Sequence, residues 1–456
     1  MSTGLMQQLA DYGTFHDEEQ GYIDVDDVFA TGTSVSPSDA SLHVAPRRSS
    51  RFGVWVAVAA VVLTGLLIGV IPLLVNNQET PPADTVVPTS LAESAPTTLG
   101  EIVLIPGTWS RVPHDEAVFG GEGIQWMSSV TVGGPGLVAV GGEWSDQSED
   151  AAVWTSPDGL AWSRVPHDEA VFGGEGDQEM ISVTAGGPGL VAFGEDSGSG
   201  RNYALWTSVD GLSWSRVPQD EAVFAGGGPN DVIAAGPGLV AVGEIESAAA
   251  VWTSRDGFNW SRVPHDEAVF GLTLGDGNGM TGVTVGGPGL VAVGSDGLNS
   301  DAPTGRAHAV VWTSIDGLTW SRVPHDEAVF GGQGDQGMFD VTVGGPGLVA
   351  VGENDHGAPV WTSTDGVVWS QVPHDESVFV KVGLRIFSVA VEGPGLVAVG
   401  EDDQGVAVWT SRDGITWVVQ RNDLTGGPGS MTVVGGSTLV GVGEHNSDAA
   451  VWVWRN

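Results

Sequence analysis

Cysteine is absent from the 456 residues, so the chain has no disulfide, no thiol nucleophile and no thiolate ligand for a metal. Lysine occurs once, at Lys381, and tyrosine three times. Basic residues number 16 against 57 acidic ones, a formal charge of −41. That balance excludes nucleic acid as a partner, because phosphate binding needs clustered Lys and Arg. It also opposes contact with an anionic membrane surface and favours solubility and cation association. Without cysteine, an exported domain points to bacteria that use few disulfides, and the excess of Arg over Lys with abundant Gly, Ala and Val suits a GC-rich bacterial coding sequence.

What is abundant is repetition. The stretch Val153–Phe172, VWTSPDGLAWSRVPHDEAVF, returns nearly whole four more times and in part three times. Counted on its second tryptophan, the copies fall at Trp109, Trp162, Trp214, Trp260, Trp320, Trp369 and Trp417. The mean step is about 51 residues, the range expected of propeller units. A second marker, GGPGLVAVG and its variants, and the first tryptophan of the hairpin also occur seven times each. Asp158-Gly159, lying between alternating runs, predicts a two-residue hairpin turn. In that register Thr155 faces Trp162, and Trp154 and Trp162 point to opposite faces of the sheet. A sheet apolar on both faces has to be covered on both sides by similar neighbours.

Each unit reads as four strands: A (Met127–Val132), B (Leu137–Gly142), C (Ala151–Ser156) and D (Leu160–Val165) in the first. The repeats begin with a lone D strand around Trp109 and end with a C strand around Trp452. Closure is expected if Thr108–Val112 completes the last unit, which removes the open ends of the array. The expected fold is an all-β, seven-bladed β-propeller whose N-terminal strand closes the last blade, preceded by one transmembrane helix.

The motif S-x-D-G-x-x-W is carried by Ser156, Asp158 and Trp162, by Ser208, Asp210 and Trp214, and by Ser254, Asp256 and Trp260. It recurs at Ser314, Asp316 and Trp320, at Ser363, Asp365 and Trp369, and at Ser411, Asp413 and Trp417. It resembles the Asp box of BNR-repeat propellers, the group that includes sialidase-like and sortilin-like proteins, with one residue fewer between Asp and Gly. The resemblance covers the chain from Gly107 onward. It implies a structural turn between strands C and D on the face away from the sialidase active site, so it speaks for fold more than for chemistry.

Ahead of the repeats, residues 1–52 read as an acidic cytoplasmic tail in which Leu5, Met6, Leu9 and Tyr12 could share one face of a short helix. Residues 53–75 read as a membrane span. Val54–Val75 is a run of 22 residues without a charge, about 33 Å long as a helix, enough for the hydrocarbon core. It exceeds the apolar region of a signal peptide, and no A-x-A-like cleavage site follows. Arg47, Arg48 and Arg51 precede the run and no basic residue follows until Arg111. The expected topology therefore puts the N-terminus in the cytoplasm and the repeats outside the cell. Gly65 and Gly69 make a G-x-x-x-G pattern that could pair two such helices. Residues 76–106, rich in Pro, Thr and Ala, read as a stalk, and 107–456 as the propeller.

Nearly identical hairpins serve whatever every blade needs, so a particular site belongs where the copies differ. They differ most in the B–C connections, which share a face with the D–A connections because A and C run opposite to B and D. The ligand-binding candidates on that face are Trp126, Trp144, Arg201, Tyr203, Arg306, His308 and Arg385. Exposed rings stack on sugars or protein partners, and Arg201, Arg306, Arg385 and Arg421 are the non-repeat arginines that a sialidase-like carboxylate site would draw on. Trp126 could equally continue the apolar start of strand A. Asp231 and Asp340, standing where other copies have Ser129, Ser182 or Ser388, could project near the axis or bond neighbouring Ser and Thr.

The D–A connection V-P-H-D-E-[AS]-V-F carries His114, His167, His265, His325 and His374, with Gln219 once. It reads either as a ring of metal clusters or as a helical turn capped by its Asp and stapled by its Phe, and the second is preferred because ligands one blade apart do not converge. No metal site or cofactor is expected beyond Ca²⁺ on acidic loops such as Asp146–Asp150 and Glu401–Asp403, none of which matches an EF-hand loop. No catalytic residues are assigned. The expectation is a membrane-anchored, non-catalytic scaffold binding a surface protein or polysaccharide; the alternative is an exported sialidase-like glycoside hydrolase.

Overall fold

The computed structural model describes residues 107–456, apart from 122, 145–147, 198–201, 219, 272–278, 297–305, 333, 374, 380–383, 394, 403–404, 421–426, 435–437 and 456. The proposed tail, membrane span and stalk lie outside the described residues, as do Arg201, Arg421 and His374. Among the described residues no helix is long and apolar enough to cross a membrane.

The described chain is an all-β propeller. Its first unit, sheet 1, consists of A (Ile124–Gly133), B (Gly136–Trp144), C (Glu149–Ser156) and D (Ser163–Arg164), paired antiparallel in that order. The same A-B-C-D order recurs in sheet 2 (residues 178–216), sheet 3 (227–262), sheet 4 (279–322), sheet 5 (336–371) and sheet 6 (385–420), and strands A to C of sheet 7 lie within residues 427–455. Sheets 5 and 6 are joined into one eight-stranded sheet by the single pair Glu353–Arg385. Sheet 7 takes its D strand from the beginning of the repeats: Thr108–Arg111 lies antiparallel to Asp448–Arg455, with Trp109 opposite Trp454. Those two indoles meet edge to face, with centroids 5.7 Å apart.

The hairpin register differs from the two-residue expectation. In the later units the Ser of the motif pairs with the D-strand Trp, as Ser254 does with Trp260. In sheet 1, Thr155 faces Ser163 and Trp154 faces Arg164. The turn is longer because the Asp158 carboxylate accepts the backbone N–H groups of Leu160 (2.8 Å) and Ala161 (2.9 Å), which cannot then enter the ladder. The extra residues shift the phase of strand D. Trp154 and Trp162 therefore share one face, and both belong to the layer between sheets 7 and 1, against Val440, Val442 and Val451. The other face of sheet 1 carries Val138, Val140, Ala151 and Val153, which meet Met180, Trp206 and Trp214 of sheet 2.

Each sheet thus offers tryptophans to one neighbour and mostly small aliphatic side chains to the other, with Phe193 of sheet 2 the aromatic exception. Among the described residues seven such layers link the sheets head to tail, including the one between sheets 7 and 1. Every C-strand tryptophan is fully buried, and a ring of that size dominates the energetics of its layer.

The D–A connections lock neighbouring sheets. Asp115 caps the helical turn Glu116–Phe119 by accepting the Ala117 N–H (3.0 Å), and Phe119 is buried. The carbonyl of Val118 on that turn accepts the indole N–H of Trp154 in the next sheet, at 2.7 Å. The bond repeats for Trp206, Trp252, Trp312, Trp361 and Trp409. The buried indole nitrogen is satisfied by a neighbour's backbone, which ties adjacent sheets at a fixed angle.

Candidate functional site

The six S-x-D-G-x-x-W turns are self-contained. In the first, Ser156 Oγ accepts the Gly159 N–H (2.8 Å) and Trp162 Nε1 donates to the Gly159 carbonyl (2.9 Å). Gly159 has φ +79°, a conformation that an L side chain rarely adopts. The same bonds recur around Asp210, Asp256, Asp316, Asp365 and Asp413. Backbone N–H donors lower all these carboxyl groups below the ordinary range, Asp256 to about 2, with Asn259 the largest cause. Their lone pairs are occupied within the turn, which fits a structural role.

The opposite face carries the non-repeated side chains, because the starts of A and C and the ends of B and D all emerge there. Trp144 ends strand B of sheet 1 and is 54 % exposed. Trp126 lies on strand A of the same sheet, across from Gly142, where any Cβ would strike its ring. Its Nε1 donates to Glu179 Oε2 of sheet 2 at 3.1 Å. It is therefore a half-buried bridge between sheets as well as a continuation of strand A. Glu179 is pushed up by burial, against the Trp126 bond that lowers it. Glu149, at the start of strand C, is pushed up to about 7, first by burial and then by the charges of Glu179, Asp177 and Glu195. This acidic group around Trp126 is not visible in the sequence, since Glu149 and Glu179 stand in different repeats.

Among the described residues the arginine and tyrosine candidates, Tyr203, Arg306 and Arg385, stand on three different sheets. Tyr203 packs into the seam between sheets 2 and 3, its ring against the backbone of Gly228. It lines a cavity of about 170 Å³ with Phe193, Phe224, Phe258 and Trp260. Phe193 stands where sheets 1 and 3 have Val140 and Val242, so this seam is more aromatic than the others. Arg306 precedes strand C of sheet 4, is exposed, and reaches the Gly332 carbonyl at 3.5 Å. Arg385 opens strand A of sheet 6 and pairs with Glu353 of sheet 5 at 2.8 Å. The repeated S-R-V-P arginines pack along the sheets: Arg164 pairs with Glu143 and lies over the Trp154 ring, 5.6 Å from its centroid.

Asp231 and Asp340 are bonding groups along the inner strands. Asp231 Oδ1 accepts from Ser182 Oγ of sheet 2 (3.2 Å) and Oδ2 from the Val283 N–H of sheet 4 (3.0 Å). Asp340 Oδ2 accepts from Ser388 Oγ (3.0 Å) and the Val389 N–H (2.9 Å) of sheet 6. Ser129 serves the Val183 N–H in the same way at 3.3 Å. Of the two readings open in the sequence, bonding of neighbours is the one realised.

The H-D-E turns hold a feature that sequence reasoning missed. Histidines one unit apart do not converge, but a third side chain of ligand type comes to the turn from strand C of the same sheet. It occupies the position four residues before the C-strand tryptophan: Asp150, Asn202, Ala248, His308, Gly357, Gly405 and Asp448 in chain order. Among the described residues three of these meet the turn, in the groups Asp150–His167–Glu169, His114–Glu116–Asp448 and His308–His325–Glu327. Aligning the copies on that tryptophan is the signal that could have found them.

No protein-family model and no curated protein matches the chain. Among solved structures it is similar to the Trypanosoma rangeli sialidase in complex with sialic acid, at 13 % identity and a TM-score of 0.41, over 77 % of this chain and 59 % of that one. It is also similar to the β-propeller domain of Cps50 (Swd1) from Myceliophthora thermophila, at 11 % identity and a TM-score of 0.43, over 76 % and 99 % of the two chains. The chain thus spans about three fifths of the sialidase's length. The propeller assignment rests on the strand pairing and layers described above.

Proposed function

We propose that the chain is a single-pass membrane protein whose seven-bladed Asp-box propeller stands outside the cell and binds a surface protein or polysaccharide without catalysis. The supporting observation is the spread of non-repeated side chains over one face. Half-exposed Trp144 on sheet 1, Arg306 on sheet 4 and Arg385 on sheet 6 stand on separate sheets of a rigid ring. Such a spread suits a broad partner, with aromatic and Arg anchors distributed across the contact. The uncharged run Val54–Val75 and the arginines before it support the anchor and its orientation.

The test is binding of the full chain, in detergent, to a glycan array and to cell-surface extracts fractionated into protein and polysaccharide. Trp144→Ala is expected to weaken the contact about tenfold or more, the value of one stacked anchor, and to leave the melting temperature unchanged. The rival hydrolase reading draws on Glu149, pushed up to about 7 as a general acid would be. Turnover of a sialyl or other glycoside substrate that is lost in Glu149→Gln or Arg306→Ala would replace the scaffold reading.

A further inference from the structure

The proposed scaffold role makes no use of the group on sheet 4. His325 lies in the D–A turn, its Nε2 3.1 Å from Glu327 Oε2. This pair recurs as His114–Glu116 and His167–Glu169, so by itself it belongs to the turn. What sets sheet 4 apart is a second imidazole. His308, the first residue of strand C, brings its Nε2 to 3.9 Å from the same Glu327 oxygen, and its ring centroid lies 4.9 Å from that of His325. The three ligand atoms all lie within 4.8 Å of one another. Ligands held tetrahedrally about 2.0–2.1 Å from an ion stand roughly 3.3 Å apart, so small side-chain rotations would close the group.

A second observation bears on the same ring. Asp296 Oδ1 accepts the His308 backbone N–H at 3.0 Å and lies 3.5 Å from His308 Nδ1, while its other oxygen pairs with Arg322. A fixed carboxylate behind one ring nitrogen, with the other nitrogen free to face an ion, is the usual outer-shell arrangement of a metal-binding histidine. His308 is only 13 % exposed, whereas Glu327 is 61 % exposed, so the group is anchored on one side and open on the other.

We propose that His308, His325 and Glu327 form a site for a divalent ion of the zinc type, with Asp296 as the positioning carboxylate. Two imidazoles and one carboxylate suit zinc, copper or nickel better than calcium or magnesium, which prefer all-oxygen shells. Three protein ligands leave a fourth position open toward solvent, available to water or to a group from a binding partner. Sheet 3 has a histidine in its turn, His265, but Ala248 at the strand C position, and provides an internal control.

The experiment is calorimetric titration of the chelator-stripped full chain with zinc chloride, and separately with calcium chloride, followed by the visible spectrum of the cobalt(II) form. The variants follow substitutions that the repeats already contain. His308→Asn copies Asn202 of the second unit, and His325→Gln copies Gln219. The wild type is expected to bind one more zinc than either variant, to give a tetrahedral cobalt spectrum that both lose, and to take zinc in preference to calcium. His265→Gln should match the wild type, and Asp296→Asn should keep the stoichiometry with affinity weakened about 10–100-fold. Equal zinc stoichiometry in the wild type and His308→Asn, or an equal loss in His265→Gln, would overturn the site. Should His308→Asn fail to fold by circular dichroism, His325→Gln decides alone.

Discussion

Asp231 gives the stability of the propeller a pH dependence of unusual sign. Its carboxyl is half-buried on an inner strand and accepts three hydrogen bonds, from Ser182, Val232 and Val283. Burial outweighs those bonds, and the charge of Asp340 adds to it, so the group is pushed up to about 6 from an ordinary 3.8. A carboxyl raised in the folded state binds its proton more tightly there than in the unfolded chain. Between about pH 4 and 6 the folded form therefore holds the extra proton, and stability falls as pH rises through that window. A shift of about two units corresponds to roughly 3 kcal/mol, most of it lost between pH 4 and 7. For a domain of about 350 residues the unfolding entropy is roughly 0.7 kcal/mol per kelvin, so the melting temperature should drop by about 4 °C from this group alone.

The variant that isolates the effect is Asp231→Ser, because serine occupies the same place at Ser129, Ser182 and Ser388, and Ser129 there still accepts an inter-sheet N–H. Scanning calorimetry at a fixed heating rate, from pH 4 to 7.5, should show the variant gaining about 3–4 °C on the wild type across the range, whatever its offset at pH 4. Parallel profiles would refute the reasoning, since the self-repulsion of an acidic chain affects both proteins alike. Asp340→Ser should move the difference in the same direction, its carboxyl being raised by the same burial.

On the acid side the sign reverses. Asp256 is held at about 2 by the N–H donors of its turn, so its stabilisation is present above about pH 4 and is lost as pH falls through 2. Asp256→Ala should therefore melt lower than wild type at pH 5 and approach it toward pH 2 in the same calorimetric series. Trp109→Ala removes a buried ring from the strand that closes sheet 7 and breaks its edge contact with Trp454. The expected cost is about 3–5 kcal/mol, measured by denaturant unfolding and accompanied by faster proteolysis at the N-terminal end of the repeats.

The repeat made strand order and the pairing of the first D strand with the C-terminal C strand legible in the sequence, because both follow from counting tryptophans. Register was not legible. Asp158-Gly159 reads as a two-residue hairpin, yet the carboxylate takes two backbone donors and lengthens the turn, which rotates Trp162 onto the face of Trp154. The conclusion that both faces need covering survives for a different reason: the second face is Val138, Val140, Ala151 and Val153 rather than an indole. Side chains that act across sheets were equally hidden. Trp126 meets Glu179 from the next repeat, and Asp231 reaches one sheet on either side, through bonds spanning 49 to 53 residues of sequence.

The His308–His325–Glu327 group shows why a repeat hides its own departures. Each H-D-E turn is nearly constant, and its histidine and glutamate touch in sheets 1, 4 and 7 because the turn geometry places them two residues apart. Constancy of that kind argues for structure. The position four residues before the C-strand tryptophan is free to vary, and in sheet 4 it carries a second imidazole beside the constant pair. Chemistry arises where a variable position falls beside a constant one, and strand C brings the two together within a single sheet. One substitution on strand C therefore places an imidazole beside a histidine, a glutamate and a supporting turn that the repeat already supplies.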